Sequence, residues 1–233
     1  MALGRDSTAQ EIIAHMRAIA SPDAIASKKR YGINTARCVG VMHGVQRDIA
    51  KAIKKNHDRA MTLWDSRITE CQLVGAFTAD ATRFTRHDAH RWANDFDSWD
   101  IVDGCGDLYA RSPDWETLIH AFIADEREYV KRMAFVIITY ATIKRKTLPD
   151  DTFVPYLAMI EREAIDDRKY VKKGVSWALR SIGKRSPFLR NAALETCEQL
   201  FTNGGRIQAA IAKETVRDLN SASTLRRMQK MGG

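Results

Sequence analysis

Trp99 and Asp103 are the residues of this chain whose types and spacing best suit chemistry. They belong to FDSWDIVDGCGD, residues 96–107, which holds four aspartates and no lysine or arginine in a chain of formal net charge +8. On a helix, residues four apart lie on one face, one turn from each other. A carboxylate held beside an aromatic ring could stabilise a developing positive charge, as glycosyl-transfer chemistry requires.

The same aspartates also fit structural roles. Asp97 and Asp100 could cap a helix, Asp107 could form an ion pair, and Asp103 itself could pair with a neighbouring arginine. A calcium-type site is disfavoured because the stretch lacks the DxDxDG pattern of oxygen-rich metal loops. The pattern leaves the structural and the catalytic interpretations of Asp103 open.

A second candidate group consists of Lys173, Trp177 and Arg180. Their i, i+4, i+7 spacing puts them on one helix face, apart from the apolar stripe that contains Gly174 and Ala178. Basic residues with an aromatic among them suit a phosphate backbone and its sugars. A solvated helix exterior, with Trp177 packed between neighbouring repeats, is the alternative.

The motifs of common cofactor-dependent enzymes are missing. His87 and His90 lie three apart without HExxH or a third ligand. No P-loop, GxGxxG, GxSxG or nucleophilic Cys–His pattern occurs. We therefore expect neither a metal nor a small-molecule cofactor.

Composition predicts a cytoplasmic protein with a polyanionic partner. The 37 Lys and Arg against 29 Asp and Glu favour nucleic acid or an anionic surface. The four cysteines are widely spaced and are typical of free thiols in a reducing compartment. Neither a signal peptide nor an apolar run of about 20 residues is present, so we expect no membrane association.

Helices must position these residues. The 13 Gly and 5 Pro lie between periodic segments, and no window alternates as a strand does. Capping residues predict helix starts at Ser21, Thr85 and Ser112.

In the acidic stretch, we expect a short helix that begins near Asp97 or Ser98. Gly104 and Gly106 are expected to end it, because glycine is frequent just after the last turn of a helix.

An internal repeat predicts the architecture. Residues 126–132 (EREYVKR) and 167–173 (DRKYVKK) match at a constant offset of 41 residues, from 126 to 167, within the range of HEAT and armadillo units. We expect an all-α fold: a superhelical stack of HEAT-like helix pairs, or α-solenoid, with about a dozen helices in a single domain over 1–233. The composition of the basic tail, 221–233, leaves its order open.

Several motifs in chain order carry a resemblance to a known family. They are KRYGI at 29–33, Leu63-Trp64 followed by Glu70, SWDIVD at 98–103, YVKRMAF at 129–135 and YVKKGVSWALRSIGKRSP at 170–187. Together they resemble the AlkD-type DNA alkylation-repair glycosylases, which are built from HEAT-like repeats. The resemblance covers about residues 25 to 220.

The resemblance implies a DNA glycosylase of base excision repair, which hydrolyses the N-glycosidic bond of cationic N3- and N7-alkylated purines in duplex DNA. It assigns the catalytic set to Asp103, Trp99, Trp177 and Arg132. We expect Lys173, Arg180, Lys131 and Lys172 to bind DNA, and the protein to act as a monomer.

A non-catalytic HEAT-repeat module that binds DNA or a protein partner through the same surface is the alternative function. Asp103 beside Trp99 favours the enzyme, because pure DNA binding gains nothing from an acid that faces phosphates. The roles of Tyr31 and Glu70 in the N-terminal half stay open.

Overall fold

The computed structural model describes residues 3–232, which form fourteen α-helices, one 3-10 helix and no strand. The prediction of an all-α chain with about a dozen helices is confirmed. The chain divides into two compact units, Met1–Trp115 and Glu116–Gly233. None of the helices in the described part is long and apolar enough to span a membrane.

The N-terminal unit contains seven helices around an aromatic core. They are α1 Ala9–Ala18, α2 Pro22–Arg30, α3 His43–Ile53, α4 His57–Asp65, α5 Thr69–Thr78, α6 Arg86–Ala93 and α7 Trp99–Arg111. In this core the buried rings of Trp64 and Trp92 stack at 3.8 Å, and Phe84 packs edge-on against Trp92 at 4.9 Å. Helix α5 lies centrally, since nearly all of its residues are buried.

The C-terminal unit contains the other seven α-helices and the 3-10 helix. They are α8 Trp115–Ile123, α9 Glu128–Lys144, the 3-10 helix Asp150–Phe153, α10 Val154–Glu163, α11 Lys169–Gly183, α12 Pro187–Thr202, α13 Arg206–Leu219 and α14 Ala222–Gly232. Trp115, the first residue of α8, is the last residue of the N-terminal unit. Helices α9 and α11 pack closely, because Gly174 of α11 brings its backbone near Phe135 and the side-chain stem of Arg132 on α9.

Two of the three predicted helix starts are confirmed. Thr85 caps α6 in a reciprocal capping box with Asp88, and Ser21 precedes α2 with proline at the first helical position. The start at Ser112 was wrong. Ser112 instead ends α7, where its N–H donates to the carbonyls of Leu108 and Tyr109, and the next helix begins at Trp115.

The glycines of the acidic stretch do not end α7, which begins at Trp99 and continues through both to Arg111. This expectation was wrong because Gly104 serves packing. A Cβ at Gly104 would lie 2.2 Å from Leu73 Cδ2 of α5, so the bare glycine lets the two helices approach. The helix start near Ser98 is confirmed, with Ser98 at the N-cap position.

The 41-residue repeat is visible in the structure. Helices α9 and α11 each follow an arginine that hydrogen-bonds the aspartate two residues before it, at 2.7 to 2.9 Å for Arg127 with Asp125 and 2.6 to 3.1 Å for Arg168 with Asp166. Equivalent sequence positions thus build the same local structure, as expected for stacked helix pairs.

The basic tail forms helix α14 over Ala222–Gly232. Its Thr224 and Met228 are buried, and the helix packs against α12 and α13. Elsewhere, the four cysteines form no disulfide within residues 3–232; they are Cys38, Cys71, Cys105 and Cys197.

Candidate active site

Trp99 and Asp103 lie on the first two turns of α7, one turn apart, as their spacing predicts. Both are partly exposed, whereas Ile101 and Val102 between them are buried in the core of the N-terminal unit. The helix therefore presents an indole and a carboxylate side by side while its other face is held by packing.

The loop between α2 and α3, residues 31–42, holds the indole of Trp99. The indole Nε1 donates to the carbonyl oxygen of Tyr31 at 3.1 Å. The backbone N–H of Asn34 donates to Ser98 Oγ at 3.2 Å, just before α7 begins. Tyr31 itself is 70% exposed, so its side chain is accessible to a ligand.

The neighbouring aspartates take structural roles, but Asp97 does not cap α7 as one interpretation predicted, because Ser98 is the N-cap residue. Asp97 pairs with Arg37 at 2.9 Å, and Asp107 pairs with Arg111 at 3.7 Å along α7. Asp100 lies in the first helical turn, where burial raises the pKa of its carboxyl despite a hydrogen bond from Ser98.

Glu70, whose role the sequence left open, is fully buried beneath the loop. Its carboxylate accepts the backbone N–H groups of Val39, Gly40 and Val41 at 3.0, 3.0 and 3.2 Å and lies 3.2 Å from Lys28 Nζ. Burial alone would raise the pKa of Glu70, but Lys28 and the backbone donors hold it below its ordinary value. Glu70 therefore supports the loop and does not face a ligand.

Arg132, which the resemblance assigns to the catalytic set, is only 5% exposed in α9 of the C-terminal unit. Its Nη1 donates to the carbonyl of Tyr170 at 2.7 Å, which links α9 to the start of α11. The repeat aligns Arg132 with Lys173, yet Lys173 is exposed. The difference arises because α11 packs over the stem of Arg132 through Gly174.

Two of the cations predicted to bind DNA are engaged by carboxylates of their own unit. Lys131 lies 2.7 Å from Glu163 and 3.2 Å from Asp166. Arg180 lies 3.2 Å from Asp218, which Lys184 also contacts at 2.6 Å. These ion pairs favour a structural role for Lys131 and Arg180, because their charge is already matched.

Lys173 and Trp177 occupy the outer face of α11, as predicted. Lys173 is exposed, Lys172 beside it is half-buried, and Trp177 is partly exposed. The Trp177 ring packs edge-on against Tyr140 with centroids 6.0 Å apart. The outer face of α11 therefore carries a partly exposed indole, Trp177, which packs on Tyr140, and a solvent-facing cation, Lys173.

The predicted site residues are thus divided between the two units. Trp99 and Asp103 lie in the N-terminal unit, and the remaining six lie in the C-terminal unit. Among the residues that the structure describes, no three His, Cys, Asp or Glu side chains are arranged to hold a metal ion.

Comparison with known proteins identifies the family. The sequence model described as DNA alkylation repair enzyme matches residues 12–218. The chain therefore belongs to the DNA alkylation repair enzyme family. No curated protein matches the sequence.

A solved structure shows the same fold. It has a TM-score of 0.74 and 16% sequence identity, covers 91% of this chain and 95% of its own, and is described as "A new family of proteins related to the HEAT-like repeat DNA glycosylases with affinity for branched DNA structures". The predicted HEAT-like class is confirmed by this likeness.

Proposed function

We propose that this protein is a DNA glycosylase that removes cationic N3- and N7-alkylated purines from duplex DNA without a cofactor. The observation that carries the proposal is the pair of Trp99 and Asp103 on one partly exposed face of α7. Membership of the DNA alkylation repair enzyme family supports it.

The chemistry suits a carboxylate next to an indole. An alkylated purine already bears positive charge, so it leaves with the electrons of the glycosidic bond and needs little protonation. The deoxyribose that remains is oxocarbenium-like, and the Asp103 carboxylate would stabilise it and orient a water for attack at C1′. The attacking water then loses its proton to the carboxylate or to solvent.

In the N-terminal unit, Trp99 would bind the sugar of the damaged nucleotide, because an aromatic ring face attracts a deoxyribose of cationic character. In the C-terminal unit, Trp177 would contact the DNA through the exposed part of its ring. Tyr31 is a further candidate for such a contact, because it is exposed and its carbonyl holds Trp99.

The phosphate contacts are assigned first to Lys173 and Lys172 on α11. We assign no direct phosphate contact to the other three cations. Arg132 is bonded to the carbonyl of Tyr170, and Lys131 and Arg180 are paired with carboxylates. In this proposal the three residues keep α9, α10, α11 and α13 in place beneath the cations that meet the backbone of the duplex.

A DNA-binding module without excision is the second candidate. One specific observation favours it: the solved relative with the same fold is described as having affinity for branched DNA. A protein of this kind would bind a four-way junction more tightly than a linear duplex and would leave alkylated bases in place.

Release of 7-methylguanine from methylated duplex DNA tests the two candidates. We expect the wild type to release the base and Asp103→Asn to lose at least about 100-fold in rate, the typical contribution of such a group. Affinity for DNA should be kept. Asp107→Asn is the matched control, because it removes a carboxylate one turn further along α7 that is paired with Arg111.

If the wild type releases no base, the enzyme proposal fails. Preferential binding of a four-way junction in the same preparation would then establish the second candidate.

A further inference from the structure

Arg37 joins the α2–α3 loop to two neighbouring segments of the N-terminal unit. Its Nε and Nη2 lie 3.0 and 2.9 Å from Asp97 Oδ2. Nη2 also donates to the carbonyl of Asp95 at 2.6 Å, and Nη1 donates to Gln72 Oε1 at 3.2 Å. A planar guanidinium satisfies acceptors in these directions at once, which a lysine ammonium cannot do.

The acceptors that bind Arg37 are themselves held by the core. Gln72 is fully buried on α5, and its Nε2 donates to the carbonyl of Trp64 at 3.2 Å and to Asp95 Oδ2 at 3.3 Å. Trp64 Nε1 donates to the same Asp95 oxygen at 2.9 Å, and its ring is stacked on buried Trp92. Arg37 is thereby bonded to groups that cannot move without disturbing the core.

The loop is held on both sides of Arg37. Towards its end, Glu70 binds the backbone of residues 39–41. Towards its beginning, Asn34 binds Asp97 Oδ2 through its side chain at 3.2 Å and Ser98 through its backbone. The carbonyl of Tyr31, which receives the Trp99 indole N–H, belongs to the same fixed loop.

We infer that Arg37 is a positioning residue for hydrolysis of the glycosidic bond. Through the loop and the segment before α7, it fixes the orientation of the Trp99 indole and the start of the helix that carries Asp103. The indole and the carboxylate then keep a fixed orientation relative to each other when the deoxyribose of the alkylated nucleotide binds. This inference rests on the proposed function, since it concerns the same site.

Two substitutions of Arg37 test the inference. Arg37→Met removes every hydrogen bond of the guanidinium, and Arg37→Lys keeps the positive charge beside Asp97 but cannot reach all of its acceptors. Arg83→Met is the matched control, because it removes an exposed arginine that is paired with Asp58 in the same unit. Measurements are made well below the thermal unfolding midpoint of each variant.

The first measurement follows the indole N–H resonances in ¹⁵N–¹H spectra without DNA. Trp99→Phe assigns the Trp99 signal, and the Trp177 signal, from the other unit, is the internal reference. In both Arg37 variants the Trp99 indole N–H should exchange with solvent faster than in the wild type, while Arg83→Met leaves it unchanged.

The second measurement is the single-turnover rate of 7-methylguanine release. It should fall about 10- to 100-fold in the Arg37 variants, because a misplacement of about 1 Å can cost that much. Affinity for undamaged duplex should stay as in the wild type. The inference is overturned if the Trp99 indole N–H exchanges with solvent as slowly in the Arg37 variants as in the wild type. It is also overturned if a variant with faster exchange excises the base at the wild-type rate.

The two proposals fail in different ways. If the wild type releases no base, the proposed function fails, and the solvent exchange of the Trp99 indole, which needs no substrate, still decides whether Arg37 fixes that residue.

Discussion

The carboxylate of Glu70 and the ammonium of Lys28 lie 3.2 Å apart, with side chains 0% and 9% exposed. Three backbone N–H groups complete the surroundings of the carboxylate. A buried charge is tolerated only when it is paired and hydrogen-bonded, and this one meets both conditions. The pair anchors the loop whose other end holds Trp99. We therefore expect its loss to lower the free energy of unfolding.

Glu70→Ala should lower the free energy of unfolding by about 3 to 5 kcal/mol, because it leaves a buried Lys28 and three N–H groups uncompensated. Urea unfolding followed by circular dichroism measures the change. Asp58→Ala is the control: it breaks the exposed pair with Arg83 and should cost no more than about 1 kcal/mol. A Glu70→Ala protein as stable as that control would contradict the structural role.

The lowered pKa of Glu70 should also make the stability of the protein depend on pH. Its pKa in the folded protein lies below the ordinary value of 4.5. The stabilisation that this carboxylate contributes is therefore complete above that ordinary value and is lost as the pH falls through the lower pKa of the folded state. Between pH 7 and pH 3, the difference in unfolding free energy between the wild type and Glu70→Gln should shrink on the acid side. Parallel curves would show that Glu70 has no depressed pKa.

Gly104→Ala and Gly44→Ala should change stability in opposite directions. A Cβ at Gly104 would lie 2.2 Å from Cδ2 of fully buried Leu73, so we expect a loss of about 1 to 3 kcal/mol. A Cβ at Gly44 on α3 meets nothing within 4 Å, and alanine there should stabilise the helix by about 0.5 to 1 kcal/mol. Denaturant unfolding compares the two, and a neutral Gly104→Ala would refute the close approach of α5 and α7.

Lys173→Ala should weaken binding to duplex DNA of any sequence. It should also reduce the slope of log affinity against log salt by about 0.9, the value of one phosphate contact. Lys131→Ala, on α9 one repeat earlier, should leave the slope unchanged because its ammonium is paired with Glu163 and Asp166. Equal slopes for the two variants, measured by fluorescence anisotropy across a salt series, would remove the distinction between them.

Local patterns accounted for the helical class and for several of its boundaries. The capping box at Thr85 and the equivalent starts of α9 and α11 depend on residues within one or two turns, so they can be recognised in the sequence alone. The same holds for Trp99 and Asp103, because four residues on a helix always bring two side chains to one face.

The sequence by itself thus determined the all-helical class, the 41-residue repeat and the pairing of an indole with a carboxylate on one helix face. Only the tertiary structure decided that α7 continues past Gly104, that Arg132 lies under α11 and that Glu70 is buried beside Lys28. Whether a glycine ends a helix or an arginine faces solvent depends on neighbours far away in the chain. The periodicity of the sequence does not reveal those neighbours, because it shows only which residues share a face of the helix.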